Sequence, residues 1–245
     1  MDQQPQHVTD TKAYTLELGG WYRLARWIIR VLLKTFARLE VEGQEHIPSE
    51  GPYLLITNHL HWLDTPLIAV LFPHRVYVFA AEKWEKHWFL GPFFRSLDAI
   101  FVRRGEVDRK ALRQALTVLE QGGVLGMAPE GTRSRTGGLQ QGRSGAAYMA
   151  YHAGVRLVPI VLSGQEKVIP TLKRLRRARV RVVFGPPFVP PAIVAGNKAS
   201  AAEVHAFTEE IMYRLAAMLP PEYRGLYADV AEKRPDLLAQ VGAFR

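Results

Sequence analysis

The sequence predicts a single α/β domain in which a mixed, largely parallel sheet is flanked by helices. Short apolar runs of strand length alternate with helical patterns through most of the chain, which is typical of strands joined by helices. With 245 residues, of which 48% are hydrophobic, the chain is long enough to bury one sizeable core. No internal repeat and no linker-like segment divides it, so we expect one domain.

The N-terminal part is predicted to be a flexible segment, residues 1–16, followed by an amphipathic helix, residues 17–39. Between residues 19 and 39 every charged side chain is basic, and these side chains fall within an arc of roughly 120°. They are Arg23, Arg26, Arg30, Lys34 and Arg38. The remaining surface is apolar and includes Trp21 and Trp27, which favours a helix lying in the interface of an anionic membrane. The alternative is an ordinary helix docked on the core with its arginines exposed.

Residues 40–219 contain the predicted α/β domain, and residues 220–245 are expected to form a polar tail. The predicted strands are residues 39–42, 53–57, 76–81, 99–102, 124–128, 157–162 and 182–184. One predicted helix begins at Asp64, and three others span residues 107–121, 144–153 and 200–219. Pro159 lies inside a predicted strand and indicates an edge strand or an irregular end, because proline cannot donate to the ladder.

Two segments allow more than one interpretation. Residues 82–96 are predicted to be mostly helical and are rich in aromatic side chains, which fits either core packing or a surface facing lipid or an acyl chain. Residues 173–181 carry six basic side chains. That cluster fits a solvated face or a patch for anionic lipid better than a site for substrate.

Composition limits the class of partner and the compartment. A net charge of +9 and a pI near 9.9 indicate an anionic partner, such as nucleic acid, an anionic membrane surface or a phosphorylated small molecule. The chain has no cysteine, which fits a reducing cytoplasm. Residues 1–11 are polar, so no signal peptide is predicted, and no apolar run is long enough to span a bilayer. We expect a peripheral protein on the cytoplasmic face of a membrane.

The most informative stretch is residues 58–66, between an apolar strand and the start of a helix. Asp64 is predicted to be the N-cap of that helix, with Pro66 in its first turn. His59 precedes this carboxylate by five positions. A neutral imidazole can take a proton from a hydroxyl, and a carboxylate partner fixes its tautomer and stabilises the imidazolium. We therefore predict His59 as a general base and Asp64 as the residue that orients it.

Competing kinds of chemistry are less well supported by the sequence. His59, His61 and Asp64 resemble a metal cluster, but Leu63 and Thr65 stand where the binuclear hydrolase pattern needs Asp and His. We predict no metal, and His61 as a wall or supporting residue. Glycine-rich phosphate loops are absent, so no nucleotide cofactor is expected. Without cysteine or a Gly-x-Ser-x-Gly elbow, the substrate hydroxyl is expected to attack directly.

Other polar loops also follow predicted strands, at residues 103–104 and 130–134. Loops at the carboxyl ends of parallel strands converge on one crevice, so we expect them to join His59. Arg104 and Arg133 are suited to a phosphate monoester, because a guanidinium binds its oxygens in pairs. Glu130 is predicted to orient a substrate hydroxyl or to hold one of these arginines. Gly131 would let the backbone approach the ligand closely.

Four blocks in this order resemble the motifs of the glycerolipid acyltransferases, typified by bacterial 1-acyl-glycerol-3-phosphate acyltransferase. They are Asn-His with Asp five positions after the His at 58–64, Phe-Val-Arg-Arg at 101–104, Glu-Gly-Thr-Arg-Ser at 130–134 and Val-Pro-Ile at 158–160. The resemblance covers roughly residues 40–165. A Lys-rich segment that usually follows the third block is represented only by Gln-Gln-Gly-Arg at 140–143, where Arg143 is expected to substitute.

The resemblance implies transfer of an acyl group from acyl-CoA or acyl-carrier protein to the hydroxyl of a lysophospholipid, in phospholipid biosynthesis at a membrane surface. His59 would deprotonate the hydroxyl of lysophosphatidate, Asp64 would orient His59, and the product would be phosphatidate. Arg104 and Arg133 would bind the acceptor phosphate. The acceptor site would be shaped by Glu130, Gly131, Thr132 and Arg143.

Other functions remain open at this point. The acceptor could be another lysophospholipid, glycerol 3-phosphate or a glycolipid. A non-catalytic protein of the same fold that binds a lipid surface is a second class, against which the intact His59 and Asp64 pair argues. Nucleic-acid binding rests on charge alone, without a recognition motif, so we predict no nucleic-acid partner.

Overall fold

The computed structural model describes residues 20–88, 91, 94–95, 98–103, 108–191 and 199–242. Within these residues one sheet contains seven strands in the order β1-β7-β6-β2-β5-β3-β4. The strands are β1 (Ala37–Glu42), β2 (Tyr53–Thr57), β3 (Val76–Ala81), β4 (Ile100–Val102), β5 (Val124–Met127), β6 (Arg156–Ser163) and β7 (Ala178–Phe184). All neighbours pair in parallel except β6 and β7. The predicted mixed, largely parallel sheet is confirmed.

Helices cover both faces of this sheet. They are α1 (Gly20–Phe36), α2 (Asp64–Leu71), α3 (Arg109–Glu120), α4 (Gly145–Ala153), α5 (Val168–Leu172), α6 (Ala201–Met218), α7 (Val230–Lys233) and α8 (Pro235–Gly242). One core packs α3, α4 and α6 against Leu54 and Ile56 of β2, and the other packs α1 and α2 against Tyr53 and Leu55. Because β2 is covered on both faces, it reads as a continuous apolar run in the sequence.

Helix α1 is docked in a different orientation from the one that its basic stripe predicted. Tyr22 and Leu33 are buried against the core. Arg26 Nε donates to the carbonyl oxygen of Val70 at 3.0 Å, and Arg30 Nη2 reaches the same oxygen at 3.4 Å. Carbonyls near the C-terminus of a helix lack partners within the helix and attract cations, so α2 draws these arginines inward. In the part of the chain described, no helix is long and apolar enough to cross a bilayer.

Pro159 lies in an interior strand, so the prediction of an edge or an irregular end was wrong. Strand β6 pairs with β2 on one side, where Pro159 is opposite Ile56, and with β7 on the other. The carbonyl of Pro159 accepts from Gly185 N at 2.9 Å, one residue beyond the end of β7. The proline nitrogen points to the same side as this carbonyl, at the end of the β7 ladder, so the ladder with β2 is not interrupted.

The predicted polar tail is folded as far as residue 242. Four apolar side chains in this segment are buried in the core beside α6, namely Tyr223, Tyr227, Val230 and Leu237. The segment carries many charges between these anchors, which is why it reads as solvated. The apolar side chains nevertheless remove enough surface from water to hold two short helices in place.

The aromatic segment is only partly described. It begins with a single 3-10 turn at Glu82–Trp84, where a longer helix was predicted, and residues 89, 90, 92, 93, 96 and 97 lie outside the described part. Trp88 is 84% exposed and therefore does not contribute to the core. Its exposure excludes the core-packing interpretation for this residue.

Candidate active site

The sheet brings the loops after β2 and β5 together. These strands are parallel neighbours, with Ile56 opposite Met127, so their carboxyl ends meet at one edge. The loop after β5 is tied directly to His59: Ser134 N donates to His59 O at 2.7 Å, and His59 N donates to Glu130 Oε1 at 2.9 Å. The predicted convergence of residues 58–64 and 130–134 at one edge of the sheet is therefore present in the structure.

His59 and Asp64 form a hydrogen-bonded pair at this edge. His59 Nδ1 lies 2.7 Å from Asp64 Oδ2. A carboxylate only accepts, so we assign the proton to Nδ1, which leaves the lone pair on Nε2. The His59 side chain is 21% exposed, whereas that of Asp64 is 2% exposed. The arrangement is an imidazole that solvent can reach, held by a buried carboxylate.

Asp64 collects three further donors. Oδ2 also accepts from Leu60 N at 2.8 Å and His61 N at 2.9 Å, and Oδ1 accepts from Gln165 Nε2 at 2.8 Å. The prediction that Asp64 caps α2 was wrong: Leu63 is at the N-cap, and no side chain caps the helix. The carboxylate instead points back into the preceding loop, where two backbone N–H groups and the imidazole donate to Oδ2.

Glu130 is a buried link between two loops. Its Oε1 accepts from His59 N and its Oε2 from Gln140 N, both at 2.9 Å. Burial raises the pKa of Glu130, and the two backbone hydrogen bonds partly offset that rise. The side chain thus holds the backbone of His59 against the loop that ends at Arg143. This structural role of Glu130 was not predicted from the sequence.

Gly131 and Arg143 are in close contact. Gly131 has φ of 69°, and a Cβ at this position would lie 3.0 Å from Arg143 Cδ. Arg143 N donates to Pro129 O at 2.8 Å, which closes the loop over Gly131. Only glycine takes this conformation without strain, and it leaves room for the Arg143 side chain. Arg143 is exposed, so its guanidinium is available to an anion.

Arg133 is exposed on the same loop, next to the partly exposed Thr132. Gln140 Nε2 donates to Arg133 O at 3.1 Å, which holds the backbone of the loop. Arg133 also lies within electrostatic reach of His61. The pKa of His61 is lowered mainly by burial, and the charge of Arg133 adds to the lowering while Asp64 opposes it. The loop therefore places an exposed cation beside the His59 segment.

Arg104 lies outside the described residues, whereas its neighbour Arg103 is described. Strand β4, which precedes them, is an edge strand parallel to its neighbour β3 and three places from β2. Three strand spacings amount to about 14 Å. The end of β4 thus belongs to the same edge of the sheet as His59 but lies farther from it than the loop of residues 130–134.

Asn58 and Gln165 are functional candidates that we did not predict as site residues. Asn58 is fully buried; its Nδ2 donates to Leu162 O at 2.8 Å, and its Oδ1 accepts from Leu162 N at 2.9 Å. It therefore locks the end of β2 to β6. Gln165, also fully buried, supports Asp64 from the turn after β6. The only sequence signal for Gln165 was its place just beyond a predicted strand, where ligand-facing loops begin.

His61 does not join a metal cluster in this structure. Among the described residues, no three His, Asp or Glu side chains are placed to hold a metal ion. His61 Nδ1 faces Leu63 N at 3.4 Å, and its ring lies 5.5 Å from that of Trp62. The described side chains thus place the His59–Asp64 pair next to a loop that carries exposed arginines.

Comparison with known proteins identifies similar sequences and folds. The family model described as Acyltransferase matches residues 38–163, more than half of the 245 residues. The chain is 28% identical over 174 residues to the chloroplastic 1-acyl-sn-glycerol-3-phosphate acyltransferase LPAT1 of Arabidopsis thaliana, covering 67% of this chain and 47% of that protein. It is 33% identical over 140 residues to the human 1-acyl-sn-glycerol-3-phosphate acyltransferase alpha, covering 53% and 47%.

The matches to a bacterial relative and to a solved structure cover a larger share of those proteins. The 1-acyl-sn-glycerol-3-phosphate acyltransferase of Bacillus subtilis is 21% identical over 167 residues, covering 68% of this chain and 81% of that protein. The crystal structure of the 1-acyl-sn-glycerophosphate (LPA) acyltransferase PlsC from Thermotoga maritima superimposes with a TM-score of 0.62 and 25% identity, covering 78% of this chain and 76% of the other. The chain spans about half the length of the plant and human relatives.

Proposed function

Because the chain belongs to the Acyltransferase family, we propose that it is an O-acyltransferase that moves an acyl group from acyl-CoA or acyl-carrier protein to the hydroxyl of lysophosphatidate, giving phosphatidate. The relatives named 1-acyl-sn-glycerol-3-phosphate acyltransferases support this acceptor. The observation that carries the proposal is the His59–Asp64 pair, with 2.7 Å between Nδ1 and Oδ2, tied to the loop of Arg133.

In the proposed reaction Nε2 of His59 removes the proton from the acceptor hydroxyl while that oxygen bonds to the thioester carbonyl carbon. The tetrahedral intermediate then expels the sulfur as the C–S bond breaks, and the proton on His59 passes to the departing thiolate. The products are an ester and a free thiol, and the imidazole returns to its neutral form. Asp64 stabilises the imidazolium that exists between these two transfers.

The acceptor phosphate is proposed to bind Arg133 and Arg143, with Arg104 as a third candidate. In lysophosphatidate the reacting hydroxyl and the phosphate are on neighbouring carbons, so their binding groups must be close together. The bond of 2.7 Å between Ser134 N and His59 O supports this, since it joins the loop of Arg133 to the base itself. Position 131 has a positive φ that favours glycine, and glycine leaves the backbone there without a side chain.

An acceptor screen with one fixed acyl-CoA tests this function directly. Free thiol release is followed with lysophosphatidate, glycerol 3-phosphate, a neutral lysolipid and no acceptor. We expect the largest stimulation with lysophosphatidate. A larger stimulation by another acceptor would reassign the substrate, and no stimulation by any hydroxyl would refute the transferase proposal.

Replacing Arg133 with Ala should raise KM for lysophosphatidate by about 10- to 100-fold, because a charge-assisted hydrogen bond contributes about 1.5–3 kcal/mol. Hydrolysis of the thioester by water should change little, since it needs no acceptor phosphate. Both rates are measured as thiol release. Arg156→Ala is the matched control, because Arg156 is exposed at the opposite end of β6. Equal losses in transfer and hydrolysis would remove Arg133 from phosphate binding.

We further propose that α1 lies in the interface of an anionic membrane as a peripheral anchor on the cytoplasmic side. Its exposed apolar side chains fall within an arc of roughly 140°, and they are Leu24, Trp27, Ile28, Val31 and Leu32. Each of these side chains is 44–62% exposed, Trp27 the most. Arg23 and Lys34, both exposed, border one side of this face and match anionic headgroups.

Replacing Trp27 and Val31 together with Ser should weaken sedimentation with vesicles of phosphatidylcholine and phosphatidylglycerol by about tenfold or more, because both side chains leave the acyl boundary. Thiol release with a short-chain, soluble acceptor should remain. Val189→Ser is the control, since Val189 is comparably exposed at the sheet edge opposite His59. Unchanged sedimentation of the double variant would exclude α1 as the anchor.

A further inference from the structure

An apolar ridge protrudes from the turn that follows β6. It consists of Ile169 and Leu172 of α5 and of Leu175, spaced by three positions, and all of them are exposed. Leu175 is 95% exposed and has φ of 54°, a conformation that costs an L-residue roughly 1–2 kcal/mol. The fold therefore holds a bulky apolar side chain out of the protein at the expense of backbone strain.

The turn itself is well ordered by its backbone. Leu175 N donates to Leu172 O at 2.9 Å, and Arg176 N donates to Thr171 O at 3.1 Å. Glycine or asparagine would occupy the position of Leu175 with less strain. A leucine at a fixed, strained and solvent-facing position indicates that an apolar contact is made there outside this chain.

The ridge is surrounded by cations. Lys173, Arg174 and Arg176 are exposed, and residues 168–177 contain no carboxylate. The second half of the basic cluster is different, since Arg179 pairs with Glu40 and Arg181 with Glu42 across β7 and β1. Within the described part of this cluster, the charge without a carboxylate partner is therefore concentrated at the ridge, which fits an anionic surface with an apolar interior.

The ridge is attached to α1, the proposed anchor. Arg177 Nη2 donates to Lys34 O and, at 2.8 Å, to Ala37 O, so the turn is fixed to the last turn of that helix. The turn also follows the carboxyl end of β6, which is a parallel neighbour of β2, so it belongs to the same sheet edge as His59. Continuity with α1 favours a bilayer over an acidic protein as the partner.

We propose that residues 168–177 form a second membrane-contact element, in which Leu172 and Leu175 insert below the headgroups of an anionic bilayer while Lys173, Arg174 and Arg176 bind lipid phosphates. This inference rests on the proposed membrane-surface function and extends it, because it assigns the cluster that composition alone left undecided. Contact at this point would turn the sheet edge that carries His59 towards the bilayer, where a lipid acceptor resides.

The absence of cysteine allows a direct test. Leu175→Cys is labelled with a polarity-sensitive dye, and vesicles of phosphatidylcholine with phosphatidylglycerol are added without substrate. We expect a blue shift at position 175 and none at Val189→Cys, the control on the opposite edge. No shift at 175 under conditions in which the protein sediments with the vesicles would overturn the proposal. A shift caused by an acidic carrier protein and not by vesicles would overturn it as well.

A second variant tests how much the Leu175 side chain contributes to membrane binding without disturbing the turn. Leu175→Asn introduces a residue that tolerates positive φ, and we expect vesicle partitioning to weaken about tenfold while the thermal unfolding temperature stays the same or rises. Unaltered partitioning would count against insertion. Because neither measurement uses an acyl donor, an inactive enzyme that still shows the blue shift would refute the acyl-transfer proposal and leave this one standing.

Discussion

Replacing His59 with Ala is expected to reduce kcat for acyl transfer by about 10²- to 10⁴-fold, the range that a positioned general base contributes. The loss follows from the geometry: Nδ1 is held by Asp64 at 2.7 Å, so Nε2 is the only ring nitrogen able to accept the proton of the substrate hydroxyl. Initial rates of thiol release at saturating lysophosphatidate measure the effect. Added imidazole should restore part of the rate, because the vacated position can admit a small base.

The His59→Ala variant should still fold. Asp64 keeps Leu60 N, His61 N and Gln165 Nε2 as donors, so the buried carboxylate is not left without partners and the loss of stability should stay within about 1–3 kcal/mol. His205→Ala, at an exposed position of α6, is the control for removing an imidazole. A His59→Ala enzyme with full turnover and no response to imidazole would refute the general-base role.

The pairing of His59 with Asp64 was predictable because its signals are local. An apolar run that is buried on both faces marks β2, and a proline in the first turn marks the start of α2, so the residues between them must form a loop at the end of a strand. The sequence separation of five residues is then enough for the side chains to meet. The loop of residues 130–134 was predictable for the same reason, as it follows another buried strand.

The direction of the α1 arginines was not predictable from the helix alone. Periodicity identifies which side chains share a face, but not which face a neighbouring element covers. The carbonyls of Val70 and Pro73 at the end of α2 decide this, and they lie 40 or more positions away in sequence. The buried roles of Glu130 and Gln165 depend in the same way on strand order, which places β5 and β6 on either side of β2.

Replacing Asp64 with Asn is expected to lower kcat by about 10²- to 10³-fold, because it removes the negative charge that stabilises the His59 imidazolium. The groups that contact the Asp64 carboxylate are donors, so the oxygen of the new amide should take the place of Oδ2, where His59, Leu60 and His61 converge. The tautomer of His59 is then kept and only the charge is lost. Thiol release measures the rate, with Glu120→Gln, at an exposed position of α3, as the control for removing a carboxylate.

The free energy of unfolding of the Asp64→Asn variant should hardly change, because Gln165 can adapt to the new amide. Its Oε1 is buried and, within the described part of the chain, has no hydrogen-bond partner. If the Gln165 amide turns over, Oε1 accepts from the amide nitrogen introduced at position 64, and Nε2 takes the buried position in which Oε1 had no partner. The number of unpaired buried polar atoms then stays the same, so urea unfolding should shift by less than about 1 kcal/mol. Adding Gln165→Met removes that acceptor and should destabilise the Asp64→Asn variant. An Asp64→Asn enzyme that keeps wild-type kcat would show that the charge of Asp64 plays no part in proton transfer, whereas one that unfolds readily would show that the Gln165 amide does not turn.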